Sequence, residues 1–185
     1  TEHKLSNSIK NKIALFCNVK NEAVIESIDA ETIYDVPILM QKERLDKVVL
    51  KKLGLSTIKS SKMDRWKVFL DKLKNSNKTV KIGLIGKYVE LQDSYKSILE
   101  SLTHAGVANE VKVKIITIHS ESINDTNLNE LLVKLNGIIV APGFGERGIE
   151  GKIKAIRYSR ENRIPFLGIC LGMQMAVIEY ARNVL

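Results

Sequence analysis

The chain has 185 residues and a formal net charge of +8; 44% of its residues are hydrophobic and only 5% are aromatic. That length holds one mid-sized domain, or one domain with part of another, and an aliphatic, aromatic-poor core suits a parallel sheet packed between helices. No stretch approaches the roughly 18 apolar residues that span a bilayer, the start has no signal-peptide core, and scattered lysines without interleaved aromatics leave no footprint for nucleic acid.

The two cysteines, Cys17 and Cys170, have no metal-ligand spacing. So few thiols fit a reducing compartment, the cytoplasm. A start without Met is expected of a piece of a longer protein.

In chain order, the run KIALFCNV (12–19) predicts a buried strand enclosing Cys17 as a structural thiol. A second strand is expected over 24–28, a turn at Asp29–Ala30, an interruption at Pro37, and a helix over 43–53 that Gly54 stops. Residues 56–78 read as a connector with a short helix. Ser61 and Asp64 suggest a capping box, and Met63, Trp66, Leu70 and Leu73 fall on one apolar stripe, a packing feature.

From residue 79 strands and helices alternate. The pattern predicts a strand over 80–86 and then a helix over 94–106. Asp93 or Ser94 would cap that helix, Tyr95, Ile98, Leu99 and Leu102 form its apolar face, and Gly106 would stop it. A strand over 111–118, a helix over 127–135 and a strand over 137–141 follow. A glycine-rich loop over 142–151 leads to a helix over 152–163. A strand over 164–169 then runs into Cys170 and a last helix. This is the signature of βαβ units: an α/β fold with a doubly wound parallel sheet, right-handed crossovers and functional groups at the carboxyl ends of the strands.

Gly168-Ile169-Cys170-Leu171-Gly172 is G-x-C-x-G between a strand and a helix, the cysteine counterpart of the G-x-S-x-G nucleophile elbow. Side chains at the two glycine positions would collide with the neighbouring strand and helix. The turn lifts the sulfur above the sheet, and the helix start beneath it favours an anionic sulfur. The Leu171 N–H points where an oxyanion would form. The loop APGFGERGIEG (141–151) follows a strand and so lies on the same rim. Its glycines allow close backbone approach, Gly143 could donate a second oxyanion N–H, and Arg147 and Glu150 bring charge. Two glycine loops on one rim point to acyl transfer.

LGICLGMQ together with PGFGERGIEG resembles the class I glutamine amidotransferases. GKYVELQDSYKSILESL (86–102), and upstream KIALFCNV with IYDVPILMQKERLD, narrow the resemblance to the CTP synthase family over nearly the whole chain. The resemblance implies three blocks: the C-terminal part of an α/β, P-loop-like synthetase domain over 1–55, an interdomain linker over 56–78, and the first part of an amidotransferase domain over 79–185. It implies that glutamine is hydrolysed at Cys170 and that the ammonia converts UTP, activated by ATP with Mg²⁺, to CTP. GTP would activate and CTP inhibit. Cys170 would form a γ-glutamyl thioester, with Gly143, Leu171, Gly172, Met173 and Gln174 holding glutamine. Lys12 would contact UTP or CTP, and Ile28, Asp29 and Ala30 the ATP adenine. Lys96, Arg147 and Glu150 would serve GTP activation, and the Mg²⁺ ligands would lie outside this segment. A cytoplasmic homotetramer, joined through the synthetase domain, is the implied assembly, with no membrane or nucleic-acid partner.

Two departures stand out. Pro142 replaces a glycine of the family loop VPGGFG and removes one N–H donor, leaving the Gly143 amide. The family's catalytic His and Glu lie downstream of the stretch given, so this segment alone is expected to be inactive. Of the three histidines, His3, His104 and His119, only His119 follows a strand toward the rim. Two alternatives remain: an amidotransferase serving another acceptor, and a binding module that keeps the elbow without a base.

Overall fold

Ser6 accepts a hydrogen bond from the Ile9 N–H and starts the first helix, α1 (Asn7–Phe16). The helix runs through the stretch expected to be a strand. A short apolar run cannot be told from a helix segment by periodicity alone, and the capping serine upstream decides it. Cys17 caps the end of α1 and is exposed, as are Leu15 and Phe16, so it is not the buried thiol expected. The computed structural model describes residues 2–55 and 61–185. The five residues that open the expected connector, 56–60, lie outside them.

Two compact units result, Thr1–Lys74 and Asn75–Leu185. In the first, the described residues form helices and turns. No strand forms over 24–28: the Glu26 N–H turns to the Glu43 carboxylate, and Lys10 holds the Glu26 carboxylate at 2.9 Å. Pro37 lies in the first turn of α2 (Val36–Lys42), where its missing N–H costs nothing, so it opens a helix rather than interrupting one. Helix α3 (Leu45–Lys52) follows, ended by Gly54 at φ +68°. Helix α4 (Asp64–Asn75) carries the expected stripe. Trp66 stacks on Phe69 at 5.2 Å and donates its indole N–H to the Tyr34 carbonyl at 2.8 Å. The Ser61 hydroxyl donates to Asp46 of α3 at 3.1 Å and accepts from the Gln41 amide of α2 at 2.7 Å, so it bonds to those helices instead of capping α4.

The second unit is the predicted parallel sheet. Strands β1 (Lys78–Gly86), β2 (Val111–His119), β3 (Gly137–Val140) and β4 (Phe166–Gly168) lie in the order β2-β1-β3-β4. All three pairings are parallel, with Gly86 opposite His119, Ile85 opposite Val140, and Val140 opposite Gly168. The crossover through α5 (Lys96–Ala108) leads outward from β1 to β2, and the next, through α6 (Leu128–Leu132), returns past β1 to β3. Right-handed connections running in opposite directions put their helices on opposite faces.

The core follows that division. Ile85, Ile138 and Val140 point to the face covered by α6, α7 (Ile149–Glu161) and α8 (Leu171–Asn183), joined there by Leu132, Ile153, Ile156 and Met175. Leu84, Ile139 and Ala141, one residue out of phase, point to the α5 face, against Tyr95, Ile98, Leu99 and Leu102. Alternate residues thus face opposite sides, as the pleat requires. Arg160 ties α7 to α8 through the buried carboxylate of Glu179, at 2.8 Å. The chain reverses direction across the sheet between β1 and β3, and the crevice at the carboxyl ends of those strands is where open α/β sheets bind ligands.

Gly106 does not stop α5. It lies inside the helix, buried, where a Cβ would come within 2.7 Å of the Val111 carbonyl oxygen and 3.0 Å of Val113 Cγ2. The glycine lets α5 touch β2. Asp93 and Ser94 fall in a short 3₁₀ turn before the helix, whose cap residue is Tyr95. Gly106→Ala is accordingly expected to destabilise the fold by about 1–3 kcal/mol, the usual cost of overpacking. Urea unfolding measures this, and a loss near zero would show that the contact between α5 and β2 yields to a methyl group at this position.

Candidate functional site

Cys170 stands between β4 and α8 with φ +53° and ψ −108°, a conformation that L-residues seldom adopt. The surrounding backbone holds it there. The Ile169 N–H donates to the Val140 carbonyl at 3.0 Å, tying the turn to β3, and the Met173 and Gln174 N–H groups donate to the Cys170 carbonyl at 3.1 and 3.2 Å. Strain of this kind costs of order 1–3 kcal/mol and persists only where its surroundings fix it.

The flanking glycines make the turn possible by contact. A Cβ on Gly172 would strike the Val140 carbonyl oxygen, and one on Gly168 would lie 2.6 Å from the backbone of Gly172 and Met173. The helix start is thus pressed against β3 and against its own entry strand. The thiol of Cys170 is exposed above this junction.

The second glycine loop meets the elbow where β3 ends. A Cβ at Gly143 would lie 3.2 Å from Lys87 Cε, 3.7 Å from Lys152 Nζ and 3.9 Å from Leu171 Cδ2. Gly143 is therefore next to the residue that follows Cys170, with two lysines beside it. Lys87, directly after β1, is buried and donates to the Phe144 carbonyl. Lys152, in the first turn of α7, is fully buried and donates to the Ala141 carbonyl at 2.9 Å.

Neither lysine was singled out from the sequence. A signal for Lys152 exists: positions 152, 155, 156 and 159 are one buried helical face, and a lysine opens it in place of an aliphatic residue. For Lys87 the only signal is its place at the carboxyl end of a buried strand.

Of the proposed glutamine contacts, Gly172 is buried against β3, Leu171 is half-buried, and Met173 and Gln174 are exposed on the first turn of α8. Each of the three charged residues linked to GTP has its own ion-pair partner. Lys96 pairs with Glu100 at 3.5 Å, Arg147 with Glu121 at 3.0 Å, and Glu150 with Arg182 at 3.0 Å. Arg147 also lies over the Tyr88 ring, 5.9 Å from its centroid.

In the first unit, Lys12 is exposed on α1, Asp29 is exposed, and Ile28 and Ala30 are half-buried in irregular chain. A groove of about 600 Å³ in that unit is lined instead by residues that include Lys10, Arg44, Lys47 and Lys51.

His119 is not placed as a base for Cys170. It ends β2, and β4 is three strand spacings away in the sheet order, about 14 Å at ~4.8 Å each. Its Nδ1 accepts from the Glu121 N–H at 3.3 Å, closing the turn after the strand. Among the described residues no group of His, Cys, Asp and Glu could hold a metal ion. No helix among them is long and apolar enough to cross a membrane.

The family profile described as glutamine amidotransferase class-I matches residues 90–185, and that described as CTP synthase N-terminus matches residues 1–55. Along its whole length the chain is 65% identical to the CTP synthase of Christiangramia forsetii and 64% identical to that of Flavobacterium johnsoniae, covering 34% of each. It is 53% identical to the CTP synthase of Bacteroides fragilis and covers 35% of it. The chain thus spans about a third of the length of these curated relatives. A solved structure, the glutaminase domain of Trypanosoma brucei CTPS with bound acivicin, is 41% identical with a TM-score of 0.53, matching 57% of this chain and 41% of that one.

The electrostatics of Lys152 lead to a test. Burial first, and then the charge of Lys87, hold its ammonium below the ordinary lysine range, while a negative charge at Cys170 acts the other way. The folded chain therefore binds this proton more weakly than the unfolded chain, so the Lys152 contribution to stability rises with pH. It rises from where the folded group begins to lose its proton up to the unfolded value of about 10.4. The difference in unfolding free energy between wild type and Lys152→Met should shift toward wild type as pH is raised from 7 to 10, in urea titrations at fixed ionic strength. A difference independent of pH would show that Lys152 stays fully protonated in the folded chain over that range.

Proposed function

The chain belongs to the class I glutamine amidotransferases, and from that premise we propose that its protein is a glutamine-hydrolysing CTP synthase. The observation that carries the reading is the elbow: Cys170 at a strained turn on a helix start, its two glycines pressed against backbone, beside the Gly143 loop. The upstream match over residues 1–55, and relatives named CTP synthase along the whole chain, favour this acceptor over another.

In the proposed reaction the Cys170 thiolate attacks the amide carbon of glutamine. The N–H groups of Gly143 and Leu171 receive the developing oxyanion. Collapse of the tetrahedral adduct breaks the C–N bond, and the nitrogen leaves as ammonia once protonated, with a γ-glutamyl thioester on Cys170. Water then attacks the thioester, releasing glutamate and the thiol. Leu171, Met173 and Gln174 would line the glutamine, while Gly172 acts by letting α8 approach β3. The proton acceptor is assigned to a downstream His–Glu pair, consistent with the distance of His119 from the elbow.

The ammonia would aminate UTP after activation by ATP with Mg²⁺, chemistry assigned to other parts of the protein. Within this chain, residues 1–55 are read as the end of the synthetase domain, 56–78 as the linker and 79–185 as the start of the glutaminase domain. Lys12 is assigned to UTP or CTP, and Ile28, Asp29 and Ala30 to ATP. Lys96, Arg147 and Glu150 are assigned to GTP activation. A cytoplasmic homotetramer completes the reading.

Replacement of the nucleophile tests the proposal. In the full-length protein, Cys170→Ala should lower glutamine-dependent CTP formation by at least about 10³-fold, the scale of losing a nucleophile. CTP formation from added ammonia should persist. Loss of both activities in a folded variant would contradict the division into two sites.

A further inference from the structure

Lys152 is costly where it stands. It is fully buried. Its ammonium sits in the first turn of α7, the end of a helix that disfavours a cation. Lys87 adds like charge beside it, no carboxylate among the described residues acts on it, and the opposing charge it does feel is a negative one at Cys170. Its hydrogen bond is to one backbone carbonyl, that of Ala141, at 2.9 Å. A buried cation with no carboxylate partner, at this price of desolvation, calls for a role that an aliphatic residue on the same helical face would not fill.

The bonded carbonyl indicates the role. Ala141 directly precedes Pro142 and Gly143, and its N–H is already fixed by the Ile85 carbonyl of β1 at 2.8 Å. The bond from Lys152 fixes the plane of the Ala141–Pro142 peptide. The proline ring then fixes the next torsion, φ of Pro142. One soft torsion, ψ of Pro142, remains before the plane that carries the Gly143 N–H. Beyond Gly143, Lys87 holds the Phe144 carbonyl. The amide is therefore clamped from both sides, and the clamp on the strand side is Lys152.

We propose that Lys152 is a positioning residue for glutamine hydrolysis, aiming the Gly143 N–H at the oxyanion through its hydrogen bond to the Ala141 carbonyl. The inference rests on the glutaminase reading and deepens it. Lys152 acts through Gly143 and does not itself touch the substrate. Because the oxyanion exists only after attack, a misaimed amide should slow the chemical step and leave ground-state binding of glutamine nearly intact.

The test uses the full-length protein and compares wild type with Lys152→Met, an uncharged side chain of similar length. The expected result is a fall of about 10- to 100-fold in kcat for glutamine hydrolysis, the scale of a misplacement near 1 Å. KM should change less than about three-fold, and ammonia-dependent CTP formation should stay at the wild-type level. The same split is expected of Lys152→Gln, whose amide is one bond too short for the Ala141 carbonyl, so a folding failure of one variant leaves the other to decide. An unchanged kcat in either folded variant would overturn the inference, as would equal losses of glutamine- and ammonia-dependent activity. A wild-type protein without glutaminase activity would remove the functional reading itself. An active wild type beside an unimpaired variant would remove the role of Lys152 alone.

Discussion

The second unit depends on a place where two backbones touch. At Gly172 the first turn of α8 rests on the Val140 carbonyl, with no room for a methyl group between them. That contact fixes where α8 begins. Because β4 enters from the adjacent strand position, the chain must turn within Ile169 and Cys170, and Cys170 takes the strained conformation. The exposed thiol follows from the packing, since a side chain at the apex of so sharp a turn has nowhere to go but above the sheet. The strain is small beside the core that maintains it: Val140, Ile138 and Met175 are buried on the α8 face.

The same region gathers charge that the rest of the unit keeps at its surface. Lys87 and Lys152 are buried at the carboxyl ends of β1 and β3, where the sheet order reverses. Each is satisfied by a backbone carbonyl of the Gly143 loop or of the residue leading into it. By contrast, the buried carboxylate of Glu179 has the Arg160 guanidinium as counter-ion. Among the described residues neither lysine has an ion-pair partner, and two such buried cations leave a local positive potential. In the proposed hydrolysis, the oxyanion beside Gly143 would draw on such a potential. The net charge of +8 says little about this, because two buried lysines act where scattered surface ones are screened.

Most of the second unit was legible from pattern. The strands, the helices between them and the apolar face of α5 follow from hydrophobic periodicity, and the elbow from glycine spacing at a strand-to-helix switch. What pattern missed was contact. Gly106 reads as a helix stop because glycine often is one, yet it is there because α5 touches β2. Lys152 reads as a surface residue by type, and only its register on the buried face of α7 contradicts that. His119 reads as a rim residue, which it is, but the sheet order places it at the far edge from β4. In the first unit the strand expected over 12–19 failed because a short apolar run carries no period of its own, and Ser6 committed it to a helix.

The central claim is that the elbow exists to present Cys170 as a nucleophile toward an amide. The most direct measurement is acid quenching of the full-length protein during turnover of glutamine, followed by peptide mass spectrometry. The account predicts a γ-glutamyl adduct on the peptide that contains Cys170, formed with glutamine and absent with ammonia as the nitrogen source. Steady glutamine hydrolysis with the adduct on another residue, or with no adduct on Cys170 when deacylation is slowed, would contradict it.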